Sequence, residues 1–228
     1  MGYFLEGMKQ AIHLLIPPSG EVLEIVGLSL LVSGAATVLA AAAGVPFGLW
    51  LSLAEFRGRR ALVGLVQTAL SVPAVLIGLV VYILVSRRGL FGFLGLLFTP
   101  GAMILAQALL AFPIITALTL AALQGPAREG RDLAYSLGAS RGRMLGTVLR
   151  QGRFAFIAAM ITGFSRVVGE TGMTLMVGGN IKGATRVMTT AISLETMKGN
   201  FEIGLALGIV LLLVALVVNV VLQMYQGK

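Results

Sequence analysis

IVGLSLLVSGAATVLAAAAGVPFGLWLSL, residues 25–53, runs without one Asp, Glu, Lys or Arg. A helix needs about 20 mostly apolar residues to cross the hydrocarbon core of a bilayer, and this stretch exceeds that. Four further runs qualify: roughly Ala61 to Val85, Ala102 to Leu123, Phe154 to Val177 and Ile203 to Met224. A membrane barrel would show segments of about ten residues with alternating polarity; these runs are continuous. The sequence therefore predicts an all-α, polytopic membrane protein with about five transmembrane helices, its 21–228 region forming a single transmembrane domain.

Composition agrees. Of the 228 residues 57% are hydrophobic and 11% charged, with a mean hydropathy of +0.97, whereas a soluble domain carries about 25% charged residues. The net charge of +8 would point a soluble protein toward nucleic acid. In a membrane chain it reads as basic loops held on the cytoplasmic side, so lipid is expected as a partner and nucleic acid is not. With five spans, one side carries Arg57, Arg59, Arg60, Arg128, Arg131, Arg141, Arg143, Arg150, Arg153 and Lys228. The other carries Lys9, Arg87, Arg88, Lys182, Arg186 and Lys198. Ten and six, with Arg166 inside a span, account for all 17 basic residues. The richer side is predicted cytoplasmic, which puts the N-terminus outside and the C-terminus in the cytoplasm of a multi-pass protein of the cell membrane.

Residues 1–20 do not read as a signal peptide, because Glu6 and Lys9 interrupt any apolar core. Tyr3, Phe4, Met8, Ile12 and Leu15 fit a short interfacial helix ended by Pro17 and Pro18. His13 is the only histidine and cysteine is absent, so thiolate metal sites are excluded and no metal site is expected. Gly44 and Gly48, four apart, permit close helix approach; Pro46, Pro73 and Pro113 fall inside spans one, two and three, where each removes a backbone hydrogen bond.

The connection between spans three and four is patterned. Leu133, Ala134 and Leu137 form an apolar stripe at helical spacing, Gly138 interrupts it, and Ser140 can cap a second helix from Arg141 onward. Two short amphipathic helices at an angle are expected, either a docking element or a hairpin that only anchors the bundle. The stretch Asp132-Leu-Ala-Tyr-Ser-Leu-Gly-Ala-Ser140 resembles the cytoplasmic signature of bacterial and archaeal ABC-importer permeases, which reads Glu-Ala-Ala, three residues, then Gly. Asp132 takes the Glu position, Leu133 and Ala134 the two alanines, and Gly138 the glycine, while Arg150-Gln151 stands where the signature has Leu-Pro. The resemblance implies the type I ABC-importer permease fold, with Asp132, Leu133, Ala134, Gly138, Ala139 and Ser140 contacting a cytoplasmic ATPase. None of the four lysines sits in a Gly-Lys-Ser/Thr context, so this chain has no P-loop. It is not expected to be an enzyme, to hold a cofactor, or to bind ATP and Mg itself; those belong to the partner ATPase.

The second informative region runs from Gly163 to Phe201. Arg166 and Glu170, four apart inside span four, can pair on one helical face, at a depth where charged groups face the bundle interior or a polar cavity. That pair reads equally as structural or as a gate. Thr171, Thr174, Asn180, Thr189 and Thr190 can offer donors to an anion, and Gly178 and Gly179 can turn backbone N–H groups toward one; each also reads as part of an ordinary external loop. The run Met176-Val-Gly-Gly-Asn-Ile181, with Thr185-Arg186 and Thr189-Thr-Ala-Ile192, resembles the tungstate branch of the oxyanion importers, of which molybdate and sulfate permeases are relatives. That resemblance implies a second copy of the chain, an ATPase dimer and an extracytoplasmic oxyanion-binding protein. Sulfate or phosphate as cargo, a membrane enzyme and a cargo-free assembly factor are the competing readings.

Overall fold

The computed structural model describes Glu6, residues 20–123 and residues 140–226. The interfacial helix expected near the N-terminus and the residues from Asp132 to Ala139 lie outside these. Among the described residues the ordered elements are all helical: α1 (Gly20–Leu53), α2 (Arg59–Ala69), α3 (Ala74–Val85), α4 (Pro100–Leu123), α5 (Arg141–Val168), α6 (Gly172–Gly178), α7 (Met188–Met197) and α8 (Phe201–Gln226), with a short 3-10 turn at Gly92–Leu94.

Four helices, α1, α4, α5 and α8, are long and apolar enough to cross a membrane, and the bent pair α2–α3 passes the same test together. Leu49 and Leu53 at the end of α1, Leu123 at the end of α4, and Val148 and Phe156 of α5 gather at one end of the bundle, beside Arg57–Arg60 and Arg141–Arg153. Ile25 of α1, Met188 and Ala191 of α7 and Leu207 of α8 gather at the opposite end. Since α1 finishes at the basic end and α4 begins at the other, residues 54–99 must carry the chain back across. They do so as a broken span. The predicted second helix, Ala61 to Val85, is two helices bent by 98°. Pro73 is the reason: it has no N–H to offer the preceding turn, and its ring disfavours helical backbone at Val72. Neither piece crosses alone, for the 12 residues of α3 span about 18 Å.

The fourth span departs from expectation twice. The helix that Ser140 opens is not a short separate element but runs unbroken from Arg141 to Val168, about 42 Å. It then ends where continuation to Val177 was expected, with a break at Gly169–Thr171 before α6. The external segment expected as a plain loop contains α7.

Helix α4 is the axis of the bundle, the most buried of the four long spans. Its Ala102, Met103, Ala106, Ala111 and Ile115 are inaccessible and join Val32, Ala36 and Ala40 of α1, Val81 of α3 and Met173 and Val177 of α6 in one core. The contact with α1 is backbone-close. A β-carbon on Gly48 would lie 2.8 Å from the Thr116 carbonyl oxygen and 2.9 Å from Thr119 Cβ, and one on Gly44 would lie 3.2 Å from the Phe112 carbonyl oxygen. Near the basic end Phe47, Trp50, Phe56 and Phe112 form a stacked chain, with ring centroids 5.1 to 5.8 Å apart. Such rings mark the level of the membrane–water interface. There Arg59 Nε donates to the Leu51 carbonyl at 2.8 Å, closing the end of α1.

Gly48→Ala forces its methyl against backbone rather than a mobile side chain, a cost of about 1–3 kcal/mol. Gly34, on the same helix with nothing within 4 Å of an added methyl, supplies the control. Thermal unfolding of the purified protein should show a lowered midpoint for Gly48→Ala and none for Gly34→Ala; equal midpoints would mean that α1 and α4 are not in contact there.

Candidate functional site

The break at Gly169–Thr171 frees backbone groups inside the bundle, and the surrounding side chains take them up. The Glu170 carbonyl accepts from Thr174 Oγ1 at 2.8 Å and from Thr189 Oγ1 at 3.3 Å. Thr174 also receives the Gln107 amide nitrogen of α4, a long contact of 3.4 Å. The single hydroxyl proton of Thr174 goes to Glu170, so Gln107 must be the donor. Its Oε1 is then left with no partner among the described residues, although the residue is 3% exposed. Arg166 Nη1 meets Glu170 Oε2 at 2.9 Å. The pair forms as the four-residue spacing predicts, but not along one helix: α5 has ended before Glu170, which turns back onto it. The two side chains also differ in setting, Arg166 being 46% exposed and Glu170 13%.

The broken second span lies alongside. A β-carbon on Gly172 would be 3.2 Å from Val75 Cγ2, and one on Gly78 would be 3.0 Å from Met173 Cα. Thus α3 and α6 start side by side, and the Leu70–Pro73 and Gly169–Thr171 breaks are neighbours at mid-depth.

Thr171 occupies the N-cap position of α6 without a side-chain capping bond. Thr190 is buried, and its hydroxyl bonds both the N–H and the carbonyl of Val187. Asn180, in left-handed backbone at φ 52°, donates to the Thr190 carbonyl and accepts from Arg186 Nε, both at 3.3 Å. Gly179 does not present a free N–H, since it donates to the Leu175 carbonyl at 2.9 Å; Gly178, the last residue of α6, packs where a β-carbon would be 2.8 Å from Met103 Sδ. The structure thus brings Arg166, Glu170, Thr174 and Thr189 together, and places Asn180 and Thr190 in a second knot that fastens the α6–α7 turn. Ser140 sits at the N-cap of α5, exposed, its carbonyl accepting from Met144.

Two residues escaped sequence reading. Gln107 is the only amide side chain in α4, and a polar group in the middle of an apolar run was a usable signal. Ser29 of α1 donates to the Ile25 carbonyl and accepts the Met188 N–H at 2.8 Å, capping α7; no local pattern announces such a cross-chain cap. At the end of the bundle opposite the basic loops, Lys182 meets Glu21 at 2.8 Å and Arg186 meets it at 3.8 Å, around cavities of about 150 and 260 Å³. Nearby, the Asn200 amide and the Lys198 ammonium, each 2.8 Å from Glu195, hold its carboxyl below the usual carboxylate range. Among the described residues no three His, Cys, Asp or Glu side chains gather as a metal-holding group.

A five-crossing bundle with a polar break at mid-depth fits a transport component, and comparison with known proteins agrees. The family described as the binding-protein-dependent transport system inner membrane component matches residues 44–227. The chain belongs to this family. It is 39% identical to the tungstate uptake system permease protein of Peptoclostridium acidaminophilum over the whole of both chains. It is 40% identical to the protein of that name from Campylobacter jejuni, covering 96% of this chain and 92% of the relative. The molybdenum transport system permease protein of Escherichia coli K12 is 30% identical over 72% of this chain and 76% of its own. The permease is therefore a multi-pass membrane protein with the all-α fold expected of it.

The network around Glu170 sets the expected response of the permease to substitution. Thr174→Val leaves the Gln107 amide unpaired and the Glu170 carbonyl with one donor, a loss of about 1 kcal/mol for a polar contact inside a membrane bundle. Thr174→Ser restores both bonds. The thermal midpoint should fall for valine and recover with serine; a fall of equal size for both would tie the effect to the lost methyl and remove the network.

Proposed function

We propose that this permease forms the membrane passage of an ATP-driven importer that moves tungstate into the cytoplasm, with molybdate as a second cargo. The observation that carries the cargo is the unbroken likeness to the two tungstate permeases, which spans the site region as well as the helical frame. Two copies of the chain enclose the path, and an extracytoplasmic binding protein delivers the anion to the end bearing Glu21, Lys182 and Arg186. A dimer of ABC ATPases, holding ATP and Mg, docks at the basic end through Asp132, Leu133, Ala134, Gly138, Ala139 and Ser140. The chain itself supplies no hydrolytic chemistry. Its residues offer orientation and shelter: hydroxyl and guanidinium groups suited to an oxyanion, and no dense carboxylate lining to repel it.

Cargo is tested by mass-spectrometric uptake in cells lacking the chain and complemented with it. Tungstate accumulation should rise at least tenfold on complementation, molybdate less, and sulfate and phosphate not at all. A rise confined to sulfate or phosphate would replace the cargo, and no rise for any oxyanion would remove the transport reading. Sidedness is tested with a membrane-impermeant thiol reagent on Ser140→Cys and Ser193→Cys. With the basic end cytoplasmic, intact cells should label position 193 only, and inverted vesicles position 140 only. Labelling of both from one side would overturn the five-crossing orientation.

A further inference from the structure

The outward faces of the long helices are not alike. On α1 the exposed residues at membrane depth are Leu31, Val38, Leu39 and Trp50, and on α8 they are Leu212, Leu213, Leu216, Val217 and Val220. These faces suit lipid. On α5, the least apolar of the four long spans, the exposed residues Ala158, Thr162, Ser165, Arg166 and Gly169 fall at spacings of 4, 3, 1 and 3, a single helical stripe. Below them Gln151 and Thr147 continue the same side, in a part of α5 exposed nearly all round, Leu145 and Leu149 included. No acidic residue occurs in α5, while Arg141, Arg143, Arg150, Arg153 and Arg166 do. Ser165 Oγ reaches Asn219 Oδ1 of α8 at 3.0 Å, so the polar character extends to the adjoining helix at that level.

Two arguments keep this stripe out of lipid. A charged side chain at membrane depth faces a bundle interior or water, yet Arg166 is 46% exposed on the outside of the chain. Non-helical backbone at that depth is tolerated only where protein or a water-filled cavity covers it. The stripe ends at the Gly169–Thr171 break, with the exposed Ser71 and Pro73 of the neighbouring break near it.

We infer that the α5 stripe, Thr147, Gln151, Thr162, Ser165 and Arg166, is the wall of an aqueous path that conducts a tetrahedral dianionic oxyanion from the mid-depth breaks to the basic end. The inference deepens the transport reading above and rests on it. Hydroxyl and amide side chains replace part of the anion's water without trapping it, the arginines draw it along a water-filled cleft with low-dielectric walls, and the Glu170 carboxylate balances Arg166 while the path is empty. The buried Thr174, Thr189 and Thr190 hold the turn behind this wall and do not line it.

The permease has no cysteine, so single cysteines report position directly. T162C and S165C, with L212C and L216C as lipid-face controls, are assembled with ATPase and binding protein in proteoliposomes and exposed to the anionic reagent methanethiosulfonate ethylsulfonate. Positions 162 and 165 should react at least tenfold faster than 212 and 216, and reaction at 162 should reduce tungstate uptake at least fivefold. Equal rates at all four positions, both at rest and during ATP turnover, would overturn the path. Slow labelling with intact tungstate uptake defeats the stripe alone. Fast labelling in a transporter that moves only another oxyanion defeats the tungstate reading and leaves the stripe standing.

Discussion

Where the Thr116 carbonyl oxygen lies within 2.8 Å of the place a Gly48 β-carbon would occupy, α1 and α4 touch backbone to backbone, and the remaining helices are arranged around that contact. In lipid no hydrophobic force drives one helix onto another, because hydrocarbon tails are as apolar as leucine. Association then depends on dispersion between surfaces that fit, which weakens within an ångström of separation. Two glycines one turn apart let the fit extend to the main chain. Thr116 and Thr119 oppose them, buried, and their hydroxyls have no hydrogen-bond partner among the described residues. With α1 and α4 locked, α4 offers its other faces to α5 and α6: Gly163 of α5 lies where a β-carbon would be 3.0 Å from Ile115, and Met173 of α6 is fully buried in the same core.

A second constraint governs the breaks. Every backbone N–H and carbonyl at membrane depth needs a partner, so an interrupted helix is costly unless neighbours supply one. At the first break, Ser71 N–H returns to Thr68, Val72 N–H returns to Ala69, and Pro73 has no N–H to satisfy. At the second, the Glu170 carbonyl is taken up by two threonines from different helices. The polar residues of this region are therefore the condition on which the helices can be interrupted at all.

Sequence reading located the elements whose signal is local and continuous. The apolar runs at 25–53, 102–123 and 203–224 became α1, α4 and α8 with ends displaced by five residues or fewer, because one hydropathic run in lipid has only one way to satisfy its backbone. The signal misled where the run stayed apolar but the backbone did not stay helical. Hydropathy does not distinguish Ala61–Val85 as one helix from α2 and α3 as two, although Pro73 carried the information. Likewise Leu175 to Val177 are as apolar inside α6 as they would be at the end of a longer α5. The Arg166–Glu170 spacing predicted a contact that the structure contains, by a geometry that the spacing does not imply. Exposure was illegible: Thr162 and Thr174 are the same residue type in the same apolar setting, and only the packing of α4 and α7 makes one a surface and the other a core bond.

The unbroken length of α5 has a mechanical consequence that two short helices would not have. A hinge after Ser140 would absorb a push from a soluble partner. A single helix of about 42 Å links Ser140 to Val168, and it contains no proline, one of the usual causes of a sharp bend. Of its four glycines, Gly152 and Gly163 are held against Leu123 and Ile115 of α4, whereas Gly142 and Gly146 near Ser140 have open space around them. At its far end α5 meets the Gly169–Thr171 junction, where the Arg166–Glu170 pair and the Thr174 and Thr189 bonds hold α6 against α5. Because the long helix and the polar stripe are one element, any movement that reaches the joint also moves Thr162, Ser165 and Arg166 beside it.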